Sequence, residues 1–332
     1  MNQNHPLPCY VHLGDSIPRH LKENIARTRR LFPDLEIMLI TDVPTSKLGF
    51  ADDLHVVVRA PLEISNGAVQ PPSLGSDPRF WRGYWQKTFN RLYALQAAFT
   101  DNPGRKLIHI ESDVLLLPSF PFDYFVDPQH VFWGEVGNAH DVAALLIIPN
   151  REALLSLLQE LSDLVELDPG LNDMTALHKI AIDKSIDHKY LAMIPDDEGA
   201  RDAGLFDGLP WGHYLYGTDP RAFYGRRIVG RTMILSRFAP SDYELWVEGQ
   251  NLLVNGLPLH SLHIHSKALF AFTDTPLDIQ RRIEKARRGS TLLRTSFIVS
   301  AFVFSMRTMV PIWLKSALSY SKWRQLLGRS RA

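Results

Sequence analysis

The sequence predicts an α/β fold in which a mostly parallel, Rossmann-like central sheet is flanked by helices. Strand-like apolar runs alternate with helix-like segments through roughly the first half of the chain, a rhythm typical of a parallel sheet with helices on both faces. The run at residues 35–41, LEIMLIT, is almost entirely apolar, as expected for a strand that is buried on both faces. A hydrophobic fraction of 45% and a charged fraction of 22% are ordinary for a folded chain.

The order of the elements follows from apolar spacing and from the Gly and Pro residues that end the segments. In the first half we predict strands at residues 9–13, 35–41, 54–59 and 106–110, and helices at 18–31 and 84–99. In the second half we predict strands at residues 131–135, 143–148 and 261–265, and helices at 152–164 and 172–182. Ligands bind beyond the carboxyl ends of the strands in such sheets, and Gly14, Asp42, Glu111 and Asp113 all fall there.

The charge of the chain is divided unevenly along its length. Residues 281–332 hold 12 Lys and Arg against a single acid, Glu284, so 24 basic and 35 acidic residues remain of the 36 and 36 in the chain. We therefore predict a body of residues 1–280, with halves of about 1–120 and 121–280, and a basic, apolar, helical tail of residues 281–332. The acidic body argues against nucleic-acid binding, because phosphate contacts require clustered Lys and Arg.

The two ends of the sequence bear on location. The N-terminus lacks the basic and apolar regions of a secretory signal, and Cys9 is the single cysteine, which excludes an internal disulfide. No window reaches the roughly 20 apolar residues of a membrane span. These features predict a cytoplasmic protein, and the apolar-basic residues 290–332 predict peripheral contact with the inner face of the cell membrane. The alternative is a helical pair that packs on the body or on a partner subunit.

An acidic motif, Glu111-Ser112-Asp113, follows the strand predicted at residues 106–110. Carboxylates two residues apart on an extended backbone point the same way, and they repel each other inside a fold unless a cation joins them. Mg²⁺ and Mn²⁺ prefer oxygen ligands and often bridge to phosphate. The motif therefore predicts a divalent metal site. The alternative is an ordinary strand-end turn with solvated acids.

A second polar segment, His263-Ile264-His265-Ser266-Lys267, has two imidazoles and a lysine on one face of a predicted strand. A neutral imidazole can complete a Mn²⁺ shell, and Lys267 can bind a diphosphate as a point charge. Either histidine could be the ligand, and a single histidine is more often structural. Where this strand meets Asp113, the two segments would form one metal–diphosphate centre.

The helix predicted before the acidic motif carries Lys87 and Arg91 four residues apart, on one helical face. That face could contact the phosphates or ribose of a nucleotide. A solvated basic face is the alternative.

Together, the acidic motif, the basic and aromatic helix before it and the late histidine resemble GT-A glycosyltransferases. Glu111 stands where the DxD-type motif of that family has its first Asp, so the resemblance implies that Asp113 is the direct metal ligand. Residues 11–42 are similar to the first βαβ unit of bacterial enzymes of surface-polysaccharide and lipopolysaccharide pathways. By that likeness, His12, Gly14 and Asp42 hold the donor nucleoside.

The resemblance also implies a reaction. A metal-bound nucleoside diphosphate leaves, and an acceptor hydroxyl, on a sugar or a lipid-linked sugar, attacks the anomeric carbon. An inverting enzyme needs a carboxylate base there, for which Asp207 is the first candidate and Asp173 the second. Asp207 could equally be a turn residue, and Asp173 a helix cap. Trp211 and Tyr214 are candidates to stack on the acceptor sugar, although aromatic side chains are more often core.

Other classes compete with a transferase. A catalytically inactive nucleotide-sugar-binding protein is the main alternative, because Glu111 departs from the family motif. A nucleotidyltransferase is disfavoured, since the loop of residues 12–15 has one Gly and no Lys or Arg. An NAD-dependent oxidoreductase is disfavoured because no GxGxxG follows the first strand.

The tail hypothesis predicts that the full chain pellets with vesicles containing anionic lipid. Deleting residues 290–332 removes apolar and basic groups together and should abolish pelleting. Equal pelleting of the two proteins would refute membrane contact through this tail, and neutral phosphatidylcholine vesicles provide the control for charge.

Overall fold

The computed structural model describes residues 6–61, 68–75, 83–101, 103–126, 130–137, 140–216, 242–264 and 276–287. His265, Lys267 and the predicted membrane-binding residues 290–332 lie outside the described residues. A compact unit ends at Ile283, and residues 284–287 are the described part of a second unit.

Helices and strands alternate through the first half of the chain, as predicted. The described strands are β1 (Leu7–His12), β2 (Ile37–Thr41), β3 (Val56–Arg59), β4 (Leu107–Ile110), β5 (Val114–Leu116), β6 (Val131–Glu135), β7 (Asp141–Ile148), β8 (His188–Leu191), β9 (Leu245–Glu248), β10 (Asn251–Val254), β11 (Leu257–Leu259) and β12 (Ser261–His263). The described α-helices are α1 (Arg19–Leu31), α2 (Gly49–Asp53), α3 (Tyr84–Ala94), α4 (Arg151–Leu167), α5 (Asp173–Asp183), α6 (Ala200–Ala203), α7 (Pro210–Tyr216) and residues 276–287. Short 3-10 helices lie at Thr45–Lys47, Leu95–Phe99 and Phe122–Val126. Among the described helices, none is both long and apolar enough to cross a bilayer.

Seven strands form the central sheet in the order β3-β2-β1-β4-β7-β6-β8. β7 runs antiparallel to both of its neighbours, and the remaining neighbours pair in parallel. This arrangement confirms the predicted mixed α/β fold with a mostly parallel central sheet. The carboxyl ends of β1, β2 and β4 therefore lie along one edge of the sheet, where ligands bind in folds of this kind.

Both faces of the sheet are covered, which explains why its strands are apolar on both sides. α1 and α2 pack on one face, through residues such as Leu21, Ile25 and Ala51. α3, α4 and α5 pack on the other, through residues such as Phe89 and Leu157. The start of α5 is fixed by a capping box, in which the Asn172 side chain accepts from the Thr175 backbone amide and the Thr175 hydroxyl accepts from the Asn172 backbone amide.

A short ribbon continues the acidic segment away from the main sheet. β5 pairs antiparallel with β12, in the register Ser261 with Leu116 and His263 with Val114. The antiparallel strands β9, β10 and β11 precede β12 and return the chain to it. The sequence analysis did not predict β5, because three residues between polar turns are too short to show a period.

A buried carboxylate joins α5 to strands β6, β7 and β8. Asp141 is fully buried, and its oxygens accept from Trp133 Nε1 at 2.8 Å, from the Tyr190 hydroxyl at 3.0 Å and from His178 Nδ1 at 3.0 Å. The imidazole of His188 stacks on Trp133 with ring centroids 4.5 Å apart. One acceptor thus satisfies the buried Trp133 indole, the half-buried His178 imidazole and the partly exposed Tyr190 hydroxyl.

We expect Asp141→Ala to lower the free energy of unfolding by about 3 kcal/mol, because it leaves these donors without an acceptor in the core. Urea unfolding followed by circular dichroism measures the change. Asp163→Ala is the matched control, because the exposed Asp163 carboxylate accepts from the Gln159 amide at 2.8 Å on the surface of α4. Equal losses in the two variants would contradict a structural role for Asp141.

Candidate metal centre

The acidic motif forms the turn between β4 and β5 at the carboxyl edge of the sheet. The Glu111 amide donates to the Ala144 carbonyl at 2.9 Å, and the Val114 amide donates to the Glu111 carbonyl at 3.0 Å. These bonds fix the turn against β7. The side chains of Glu111 and Asp113 are only 16% and 9% exposed, so two carboxylates face one buried space. Like charges so placed favour a cation between them.

His263 meets this motif through the β5–β12 ribbon. The Ile264 amide donates to the Asp113 carbonyl at 2.8 Å and extends the pairing to the motif itself. The imidazole Nε2 lies 3.5 Å from Glu111 Oε2 and 3.5 Å from Asp113 Oδ1. The acidic motif and the late histidine segment therefore meet at His263.

The orientation of the His263 ring suits a metal ligand. Its Nδ1 donates to the Gly208 carbonyl at 2.6 Å, which leaves Nε2 directed at the carboxylates. A backbone carbonyl on one imidazole nitrogen is the usual partner that fixes a metal-binding tautomer. The three side chains offer ligand atoms that all lie within 4.8 Å of one another. Two carboxylate oxygens and an imidazole nitrogen form a donor set that accommodates Mn²⁺ or Mg²⁺.

The same carboxylates hold a proton on the imidazole when no ion lies between them. Burial alone lowers the pKa of His263, but Asp113 and Glu111 outweigh burial and raise that pKa to about 9. An arriving divalent ion therefore competes with a proton for Nε2.

Arg91 lies against the motif from α3. Its Nη2 is 2.6 Å from Glu111 Oε1, and the Arg91 side chain is 20% exposed. Burial raises the pKa of the Glu111 carboxyl, yet Arg91 and His263 outweigh burial and lower it. The predicted contact of Arg91 with the donor stays a prediction; in this arrangement the guanidinium holds Glu111 ionised and in place. Lys87, one turn earlier on α3, is exposed.

Asp173 is the first residue of α5, and it is buried close enough to Arg91 and Glu111 for their charges to act on its carboxyl. The alternative that Asp173 caps the helix is wrong, because Asn172 does so. Burial raises the pKa of Asp173 to about 6, a shift that Arg91 opposes and Glu111 supports. Its Oδ1 is buried without a hydrogen-bond partner among the described residues.

Sequence reasoning missed Tyr84. Its side chain is 37% exposed; desolvation of the hydroxyl raises its pKa, and the charges of Glu111, Asp173 and Asp113 raise that pKa further. Tyr84, Thr88 and Arg91 share one face of α3, so the spacing of four and three residues was the signal that could have identified it.

The carboxylate of Asp207 is fully hydrogen-bonded to backbone amides. One carboxylate oxygen accepts from the backbone amides of Leu209 and Trp211, each at 3.0 Å. The other accepts from the amides of Gly212 at 2.6 Å and His263 at 2.8 Å. With both oxygens occupied twice and the side chain buried, the geometry does not support the predicted role of Asp207 as a catalytic base. It joins the first turn of α7 to β12, the strand that carries His263.

The two aromatic candidates of α7 differ from each other. Trp211 is fully buried, and its Nε1 donates to the Met193 carbonyl at 2.7 Å, so its indole cannot stack on a sugar in this arrangement. Tyr214 is half-buried. Between them, a Cβ added to Gly212 would lie 2.0 Å from the His263 carbonyl oxygen, which explains why only glycine fits at that point.

The residues predicted to hold a nucleoside come together at the ends of β1 and β2. The Gly14 amide donates to Asp42 Oδ1 at 2.7 Å, and His12 Nε2 donates to the Ser16 carbonyl at 2.9 Å. Burial lowers the pKa of His12, the Ser16 carbonyl and Asp42 oppose that shift, and the charges of Arg91 and Lys87 add to it.

The chain was compared with protein families, curated proteins and solved structures. No protein family and no curated protein matches the chain. Similar solved structures include an active-site mutant of LgtC, at 12% identity over 59% of this chain and 78% of that chain, with a TM-score of 0.39. The PaToxG glycosyltransferase is 12% identical over 54% and 69%, with a TM-score of 0.35. A cytidylyltransferase from Leptospira borgpetersenii is 9% identical over 71% and 95%, with a TM-score of 0.33.

The proton on His263 generates a pH prediction. A raised pKa stabilises the folded, metal-free protein fully below pH 6.5, and this contribution is lost as pH rises from 6.5 through about 9. Mn²⁺ must displace the proton, so its affinity should rise with pH over the same window, with release of about one proton per ion at pH 7.5.

Calorimetry in buffers of different ionisation enthalpy measures the released proton. His263→Gln should abolish the release, whereas His130→Gln should not, because His130 pairs with Asp187 outside the centre. Unchanged proton release in His263→Gln would refute the assignment of this imidazole as a ligand.

Proposed function

We propose that this chain is a metal-dependent glycosyltransferase that moves a sugar from a nucleoside diphosphate sugar to a hydroxyl acceptor. One observation carries the proposal: Glu111, Asp113 and His263 converge at the carboxyl edge of a mostly parallel sheet, with ligand atoms within 4.8 Å of one another. The order of motifs along the chain, which resembles that of GT-A enzymes, supports the same function.

Asp113 and His263 would hold the ion, with Glu111 as the third side chain. A bound divalent ion supplies neutralisation of the charge that develops on the departing diphosphate. The protein's own part is to keep the ligands in place: Arg91 fixes Glu111, the Gly208 carbonyl fixes the His263 ring, and Asp207 holds the His263 backbone. We assign Asp207 as a positioning residue on this basis.

The donor would lie along the carboxyl ends of β1, β2 and β4. His12, Gly14 and Asp42 are proposed to hold its nucleoside, and Lys87 and Lys267 its phosphates. The proposed donor half, residues 1–120, then contains the acidic motif and the nucleoside pocket. The proposed acceptor half, residues 121–280, supplies His263 and Asp173.

Asp173 is the better candidate for a base that activates the acceptor hydroxyl. A pKa of about 6 is close to the operating pH, which favours proton transfer, and the buried Oδ1 has no hydrogen-bond partner among the described residues. Tyr214, half-buried on α7, remains a candidate for contact with the acceptor, in which a sugar or a lipid-linked sugar would present the hydroxyl.

One observation favours the alternative, a nucleotide-sugar-binding protein without transfer activity. The Arg91 guanidinium already neutralises Glu111 at 2.6 Å, so the cluster has less need of an ion than two unpaired carboxylates would have. The two functions differ in turnover and not in donor binding.

A donor screen tests the function. The purified chain is incubated with Mn²⁺ and a panel of nucleoside diphosphate sugars, with and without lipid-linked acceptors. It should release a nucleoside diphosphate from one of these donors. Donor binding by calorimetry with no release across the panel would support the binding protein instead.

Two variants separate the roles of the acids. We expect Asp113→Asn to lose both Mn²⁺-dependent donor binding and turnover. Asp173→Asn should keep donor binding while kcat falls about 100-fold or more, the usual effect of removing a general base. Asp168→Asn, which changes an exposed partner of Lys179, is the control and should match the wild type. Full activity in Asp113→Asn would contradict the metal mechanism.

A further inference from the structure

We propose that Asn24 and Arg27 of α1 are positioning residues that set the geometry of the metal centre by holding the backbone on either side of Asp113. The inference rests on the proposed function for its metal, and on the contacts of α1 for its geometry. Neither residue belongs to any ligand set described above.

The carbonyls around Asp113 point in two directions. The Asp113 carbonyl accepts from Ile264 and so faces β12. The carbonyls of Ser112, Val114 and Leu116 instead accept from side chains of α1, so they face α1 and not β12. β5 is three residues long, and β12 is its paired strand among the described residues. The carbonyls on the other edge of β5 therefore need donors from side chains.

α1 supplies those partners. Asn24 Nδ2 donates to the Ser112 carbonyl at 3.2 Å and to the Val114 carbonyl at 2.7 Å, so one amide joins the two residues that flank Asp113. Arg27 Nη1 donates to the Leu116 carbonyl. Residues 24 and 27 share a helical face with His20, whose Nε2 lies 3.1 Å from Ser112 Oγ.

Burial makes these contacts strong determinants of geometry. Asn24 is fully buried and Arg27 is 6% exposed, so water does not replace a lost bond easily. Losing the Asn24 amide would leave the buried Val114 carbonyl and the half-buried Ser112 carbonyl without this donor. The Asp113 turn would then be held by β12, β7 and His20, without the amide that joins its two flanking residues. Metal affinity depends on such outer contacts, whose loss typically costs about 10-fold to 100-fold in affinity.

Arg29 provides a matched control on the same helix. Its guanidinium also donates to backbone carbonyls, at Leu54, Pro33, Leu35 and His55, but these lie in the loops around β2 and β3. Removing Arg29 should therefore lower stability without changing the metal centre.

The experiment compares Asn24→Leu, Arg27→Lys and Arg29→Leu in the full chain. Asn24 Oδ1 has no partner among the described residues, so leucine of similar size removes only the donated bonds. Free Mn²⁺ is measured by electron paramagnetic resonance at a temperature where circular dichroism shows every variant folded. We expect Mn²⁺ affinity about 10-fold weaker in Asn24→Leu, an intermediate value in Arg27→Lys, which keeps one donor, and wild-type affinity in Arg29→Leu.

Hydrogen exchange of the Ile264 amide gives a second readout that needs no metal. Its bond to the Asp113 carbonyl should open more often in Asn24→Leu than in Arg29→Leu or the wild type. Wild-type exchange and wild-type Mn²⁺ affinity in Asn24→Leu would overturn the proposal, as would equal losses in Arg29→Leu. A wild-type chain that binds no Mn²⁺ would instead refute the metal function, and the exchange of Ile264 would then decide the positioning role by itself.

Discussion

The pairing of β5 with β12 is the contact on which the candidate centre depends. It brings His263 to the two acids that end β4, although these residues are far apart in sequence. Register is decisive here, because a slip of one residue would turn the His263 side chain to the opposite face of the ribbon. Each strand contributes only three residues, so the ribbon's own ladder is too short to fix that register alone.

Buried polar groups on both sides of the ribbon supply the missing constraint. On the β12 side, the Asp207 carboxylate joins the His263 amide to the first turn of α7, and Gly212 allows that turn to approach. On the β5 side, the amide of Asn24 satisfies the carbonyls next to Asp113. Burial increases the cost of breaking either set of bonds. Buried hydrogen bonds thus lie next to both Asp113 and His263, the side chains proposed to bind the metal.

The fold class and the acidic motif could be predicted from sequence because both depend on local patterns. Apolar runs revealed the buried strands, and the i, i+2 spacing identified Glu111 and Asp113 as neighbours. The roles of Arg91, Asp207 and Trp211 were not accessible in this way. Each depends on which distant segment fills the space beside it: Glu111 beside Arg91, β12 beside Asp207 and the Met193 carbonyl beside the Trp211 indole. The raised pKa of Asp173 likewise depends on burial, which no local sequence pattern predicts.

A crystal grown with Mn²⁺ and a nucleoside diphosphate tests the central claim most directly. Anomalous scattering at the manganese edge locates the ion without reference to the protein density. We predict a single strong peak bonded to Asp113 and His263 Nε2, with the diphosphate oxygens completing its shell. A peak at another site, or diphosphate bound beside Glu111 with no anomalous signal, would contradict the assignment of these side chains as a metal centre.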